Sequence, residues 1–94
     1  MRTRYLFGEK TVFSDETDIL LSYYILDKEL DIETGYEQWG IEVETHMGKK
    51  HSSERINYLC EDYHKAVKTI KILFENEVTA TCFYEVINEL YDMV

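Results

Sequence analysis

The sequence predicts an α+β fold, an antiparallel β-meander packed by two C-terminal α-helices. Three observations predict it. Up to residue 60 the apolar residues alternate with period two; near residue 61 the period changes to 3.6; and polar or Gly-containing turns divide the first part into hairpin-length strands. A chain of 94 residues supports one core, so residues 1–94 read as one domain, with 1–60 mostly strands and 61–94 two helices.

The elements follow in order. Arg2 to Phe13 reads as two short strands around Gly8-Glu9-Lys10, with Tyr5, Phe7, Val12 and Phe13 as apolar members. Ser14 to Asp18 reads as a polar loop, or one helical turn capped by Ser14. Ile19 to Asp31 is a long strand with Leu20, Tyr24, Leu26 and Leu30 on one face and Leu21, Tyr23, Ile25, Asp27 and Glu29 on the other. Ile32-Glu33-Thr34-Gly35 turns the chain, with Gly35 able to take positive φ. Tyr36 to Met47 returns, and its Trp39, Ile41, Val43 and Thr45 row is expected to face the core. A one-residue slip would bury Glu42 and Glu44, so the pattern specifies the register. After a turn at Gly48 to Ser53, Arg55 to Cys60 is the last strand.

Tyr63, Ala66, Val67, Ile70, Leu73 and Phe74 then form one helical stripe ending near Asn76, with Glu61 and Asp62 at its positive end. Thr79 or Thr81 is expected to cap a second helix. Its stripe is Phe83, Val86, Ile87, Leu90 and Tyr91, and Glu85, Glu89 and Asp92 lie outside it.

The formal net charge of −9 is uneven: residues 1–47 carry 11 acids and 4 bases, residues 48–94 carry 8 and 6. That balance argues against nucleic-acid binding. No apolar run reaches membrane-spanning length, and the N-terminus lacks the apolar core of a signal peptide. A cytoplasmic location with Cys60 and Cys82 reduced is therefore expected.

Two stretches, Tyr24-Ile25-Leu26-Asp27-Lys28-Glu29-Leu30 and Trp39-Gly40-Ile41-Glu42-Val43-Glu44, are followed by a strand, a helix and a short final helix. This arrangement resembles a family of small proteins of unknown function from clostridia and related Firmicutes. In that family an aromatic-Gly-Ile pattern follows a hairpin, and a Ser-Pro-like pair opens the last helix. The resemblance covers roughly residues 20–91. The chain departs from it at Thr79-Ala80, which lacks the proline, and at Cys82, where the pattern has histidine. The resemblance implies the fold and a Firmicute cytoplasm, and it implies no site.

Catalytic signatures are missing. Gly8, Gly35, Gly40 and Gly48 form neither a phosphate loop nor a dinucleotide fingerprint. Asp27, Glu29 and Asp31 match the start of a calcium loop, but Ile32 and Gln38 stand where glycine and glutamate are needed. Cys60, His64 and Cys82, with His46 and His51 flanking a turn, offer soft donors without the usual ligand spacing. Lys65, Lys68 and Lys71, with His64, read as the solvated face of the first helix.

Eight tyrosines exceed what so small a core can hold. If Leu21, Tyr23 and Ile25 lie on an uncovered sheet face, they form an apolar patch ringed by acids; otherwise the N-terminal hairpin covers them. The expected function is a small non-catalytic interaction or regulatory module of the cytoplasm, without cofactor or metal. Its partner is a protein or a second copy in a homodimer, with neither nucleic acid nor membrane. The expected surface is Leu21, Tyr23, Ile25, Asp27, Glu29, Trp39, Glu42 and Glu44. One alternative is an acidic mimic of nucleic acid that blocks a basic protein through Asp27, Glu29, Asp31 and Glu33. Another is a metal protein or enzyme using Cys60, His64 and Cys82.

Overall fold

The structure, a computed structural model, describes residues 2–91. Four strands, β1 (Arg4–Ser14), β2 (Thr17–Asp31), β3 (Tyr36–Met47) and β4 (Lys50–Cys60), precede α1 (Tyr63–Glu75), a 3₁₀ turn (Ala80–Cys82) and α2 (Phe83–Tyr91). The strands pair antiparallel in the order β1-β2-β3-β4, and the helices pack on one face. This is the expected α+β fold. Asp92, expected outside the α2 stripe, lies outside the described residues. At about 3.3 Å per residue, the 15 residues of β2 reach roughly 50 Å and set the 47 Å long dimension. The radius of gyration, 13.6 Å, is therefore above the value of about 12–13 Å expected for a more isometric domain of this length.

Register decides which face is core. Tyr23 lies opposite Val43, Ile25 opposite Ile41, and Leu21 opposite Thr45. Directly opposed residues share a face, so Leu21, Tyr23 and Ile25 join the Trp39 row beneath the helices. They are 1%, 0% and 4% exposed and pack with Ile70, Leu73, Phe83 and Ile87. These three residues therefore form no exposed patch, and what covers them is the helices, not the N-terminal hairpin. The opposite row, Leu20, Ser22, Tyr24 and Leu26, lies on the face without helices. Burial of the Tyr23 hydroxyl is balanced by its donation to the Val78 carbonyl at 2.9 Å.

Two hairpin turns are tighter than their sequences suggest. In place of two strands and a loop, β1 runs unbroken to Ser14 and turns over Asp15 and Glu16, both at positive φ (49° and 64°). That is the two-residue turn whose twist suits a hairpin, built here without glycine. Gly48, at φ 61°, begins an equally short turn, so β4 starts at Lys50, earlier than the expected Arg55. Gly8 sits at a bulge in β1, where an added Cβ would meet the Phe74 ring at 2.8 Å. Phe74 packs edge-on against both Phe7 and Tyr23, which ties α1 to the bulge.

The start of α1 is capped by Asp62, whose side chain accepts from the His64 amide; neither Asp62 nor Glu61 lies within its first turn. Its end at Asn76 matches expectation and forms a Schellman motif. The Glu77 amide donates to Phe74 and the Val78 amide to Leu73, with Glu77 at φ 53°. Val78 is thereby placed under Tyr23. Thr79 starts the 3₁₀ turn without a side-chain cap, and the Thr45 hydroxyl accepts from the Ala80 amide instead.

Candidate functional site

Because both helices pack on one side, the other side of the sheet is open. Alternation puts Arg4, Glu9, Ser22, Tyr24, Glu42, Glu44, His46, His51 and Arg55 there. These side chains form one network. Glu42 accepts from Arg4 and from Arg55, each at 3.0 Å. Glu44 accepts from Arg4 and contacts His51 Nε2, again at 3.0 Å each. The Arg4 guanidinium lies 4.0 Å from the centre of the Tyr24 ring, and Ser22 donates to Glu9. Burial opposes ionisation of Glu44, but hydrogen bonds from Tyr24 and His51 and the Arg4 charge outweigh it. Its carboxyl is held below the ordinary range. Glu42 is only 4% exposed although it faces solvent across a bare sheet, because the two arginines lie over it.

At the far end of this face, Arg2 closes the sheet. Register shifts fall between Leu26 and Glu29 on β2 and between Trp39 and Ile41 on β3. Beside them the guanidinium donates to three carbonyls, those of Asp27, Gln38 and Asn57. Desolvation there lowers the Arg2 pKa, with Glu29 and Tyr58 opposing.

The eight residues expected to form an interaction surface divide. Leu21, Tyr23 and Ile25 are core, and Trp39 is half-buried against the Tyr63 ring at 4.8 Å. Glu42 and Glu44 are on the open face within the network. Asp27 and Glu29 lie at the β2 bulge, where the Asp27 carboxylate takes the Lys28 amide and Glu29 receives the Tyr58 hydroxyl. The row Asp27, Glu29, Asp31 and Glu33 is interrupted. Asp31 is 8% exposed and turned inward, accepting from the Glu33 amide and from Gln38.

Cys60, His64 and Cys82 form no donor cluster among the described residues. Cys60 donates to the Asp62 carbonyl and its thiol is pushed up by burial, while Cys82 is exposed. The basic edge of α1 borders an open groove of about 700 Å³ lined by His64, Lys65, Lys68, Thr69, Leu90 and Tyr91, among others. Those lysines are solvated, as expected, and Lys65 also sits over the Tyr91 ring at 5.0 Å.

Sequence reasoning missed the β1 edge. Among the described residues β1 pairs with β2 and with no other strand, so its outer edge carries no strand partner there. Tyr5, Leu6, Phe7 and Phe13 on it are 50%, 53%, 36% and 69% exposed. The signal was present: residues 1–14 carry three bases and one acid, whereas residues 15–47 carry ten acids and one base. Splitting the segment into two strands concealed it. No helix among the described residues is long and apolar enough to cross a membrane.

Fold and surface together define a class: small α+β proteins with a four-stranded meander, helices on one face, and an open face crossed by ion pairs. The chain belongs to a family of unknown function, DUF6514, whose model matches residues 3–93. The match extends beyond the residues that carried the resemblance in the sequence. Neither a curated protein nor a solved structure matches the chain.

Proposed function

We propose that this protein is a non-catalytic interaction module that self-associates as a homodimer by pairing the free edge of β1 with its copy. One observation carries the proposal: an 11-residue, proline-free edge strand that exposes four large apolar side chains. Uncovered strand edges of that kind pair with other strands. A two-fold axis beside β1 joins two four-stranded sheets into one. The cytoplasm and the clostridial or related Firmicute source implied by the sequence resemblance belong to the same proposal.

Sedimentation equilibrium over a concentration series, at low and high salt, tests it. Two chains of net charge −9 repel, so added salt should leave the dimer intact or tighten it. Leu6→Glu and Phe13→Glu, at exposed positions, should yield folded monomers. A wild-type chain that stays monomeric throughout would sink the proposal. The rival, an acidic blocker of a basic protein, draws on the ten acids of residues 15–47. It predicts capture by a basic partner that weakens steeply with salt.

A further inference from the structure

We propose that Glu44, His46 and His51, at the β3–β4 end of the open face, form a binding site for a divalent first-row transition cation, with Zn²⁺ as the representative ion. The three side chains come from a tight hairpin. His46 and His51 are directly opposed across the ladder, and Glu44 is two residues before His46 on the same face. One ligand atom from each lies within 4.8 Å of the other two. Glu44 Oε2 is 3.0 Å from His51 Nε2, and the two imidazole rings stack with centroids 4.4 Å apart.

Zinc bonds of about 2.0–2.2 Å to nitrogen and oxygen place tetrahedral ligands roughly 3.3–3.5 Å apart. Glu44 and His51 already lie slightly closer than that, and no two of the three ligand atoms are more than 4.8 Å apart. Both histidines are exposed, so neighbouring side chains leave their rings room to rotate toward a common ion. Imidazole nitrogen with carboxylate oxygen suits Zn²⁺ and its neighbours in the transition series, not Ca²⁺ or Mg²⁺.

The carboxylate is already oriented. Arg4 holds Glu44 Oε1 at 3.0 Å, leaving Oε2 directed at His51. Such outer partners fix ligand geometry in metal sites. Binding replaces the His51–Glu44 contact with two bonds to the ion, and any proton on the ligating nitrogens leaves to solvent. Acidification therefore opposes it. Three protein donors leave a position for water or for a donor from another molecule. The cysteines are not needed, which separates this site from the cysteine-based one suggested by the sequence.

The test is titration of the untagged, reduced full-length chain with ZnCl₂, followed by calorimetry and by amide and imidazole NMR shifts. Saturable binding is expected, with shifts centred on residues 44–51. His46→Gln and His51→Gln should each weaken it by about tenfold or more, while Cys82→Ala and His64→Gln leave it unchanged. All four positions are exposed, so the variants should fold. Absence of saturable binding overturns the proposal. So does binding that survives in the double histidine variant or that is lost in Cys82→Ala or His64→Gln.

Discussion

Tyr23 shows how far a single residue governs this fold. Its ring fills the sheet–helix interface, and its hydroxyl satisfies the carbonyl of Val78, beyond the end of α1. Tyr23→Phe keeps the ring and orphans that carbonyl, so urea denaturation should show a loss of about 1–2 kcal/mol. Gly40 marks a different constraint. A Cβ there would collide with the backbone carbonyls of Ile56 and Asn57 at the β3–β4 bulge, and neither can swing aside as a side chain would. Gly40→Ala should cost about 3 kcal/mol or more, at the upper end of overpacking effects. Glu44 brings pH dependence. Its folded-state pKa lies below the ordinary 4.5, so it contributes stability above that value. The contribution is lost as pH falls through the folded-state value. Glu44→Gln should therefore flatten the acid limb of a stability–pH profile below about pH 5, a change visible by denaturation at stepped pH.

Among the elements, those with period and caps were legible. The β2–β3 hairpin, α1 with its end at Asn76, and α2 all emerge from alternation and stripes. The face of β2 did not, because Ile19 to Asp31 is apolar on both sides: Leu20, Tyr24 and Leu26 rival Leu21, Tyr23 and Ile25. Such a strand gains its inside only from the β3 row opposite it, because its own pattern favours neither face. The burial of Leu21, Tyr23 and Ile25, and with it the division of the eight expected surface residues between core and open face, has that cause. Leu26, from the losing row, is still 1% exposed on the open face. The histidine pair was legible only in part, since His46 and His51 become opposed once the Gly48 turn is known to be short.

The first turn was missed for another reason. Asp15 and Glu16 take left-handed conformations that normally signal themselves by Asn or Gly. Glu77 does the same after α1. Each non-glycine residue there costs of order 1 kcal/mol. Glu16→Gly and Glu77→Gly should thus each stabilise the protein by about 1 kcal/mol, read as a raised denaturation midpoint with an unchanged slope.

Over the whole molecule, charge and exposure separate. The acids of residues 15–47 lie mainly in β2, β3 and their turns, whereas β1 is nearly free of them and carries much of the exposed apolar surface at the sheet edges. β4, the other edge, is largely polar, with Lys50, His51, Ser52, Ser53, Glu54 and Arg55 in its first half. The two edges are therefore not equivalent for association. Ion pairs across the open face and the clamp of Arg2 on three strands need no partner to hold the sheet together. Association through β1 leaves that network in place. Amide hydrogen exchange, measured residue by residue at dilute and concentrated protein, tests the central claim most directly. Pairing of β1 with its copy predicts that the β1 amides facing away from β2 gain protection with concentration while those at the outer edge of β4 do not. Unchanged protection along β1, or a gain confined to β4, would contradict it.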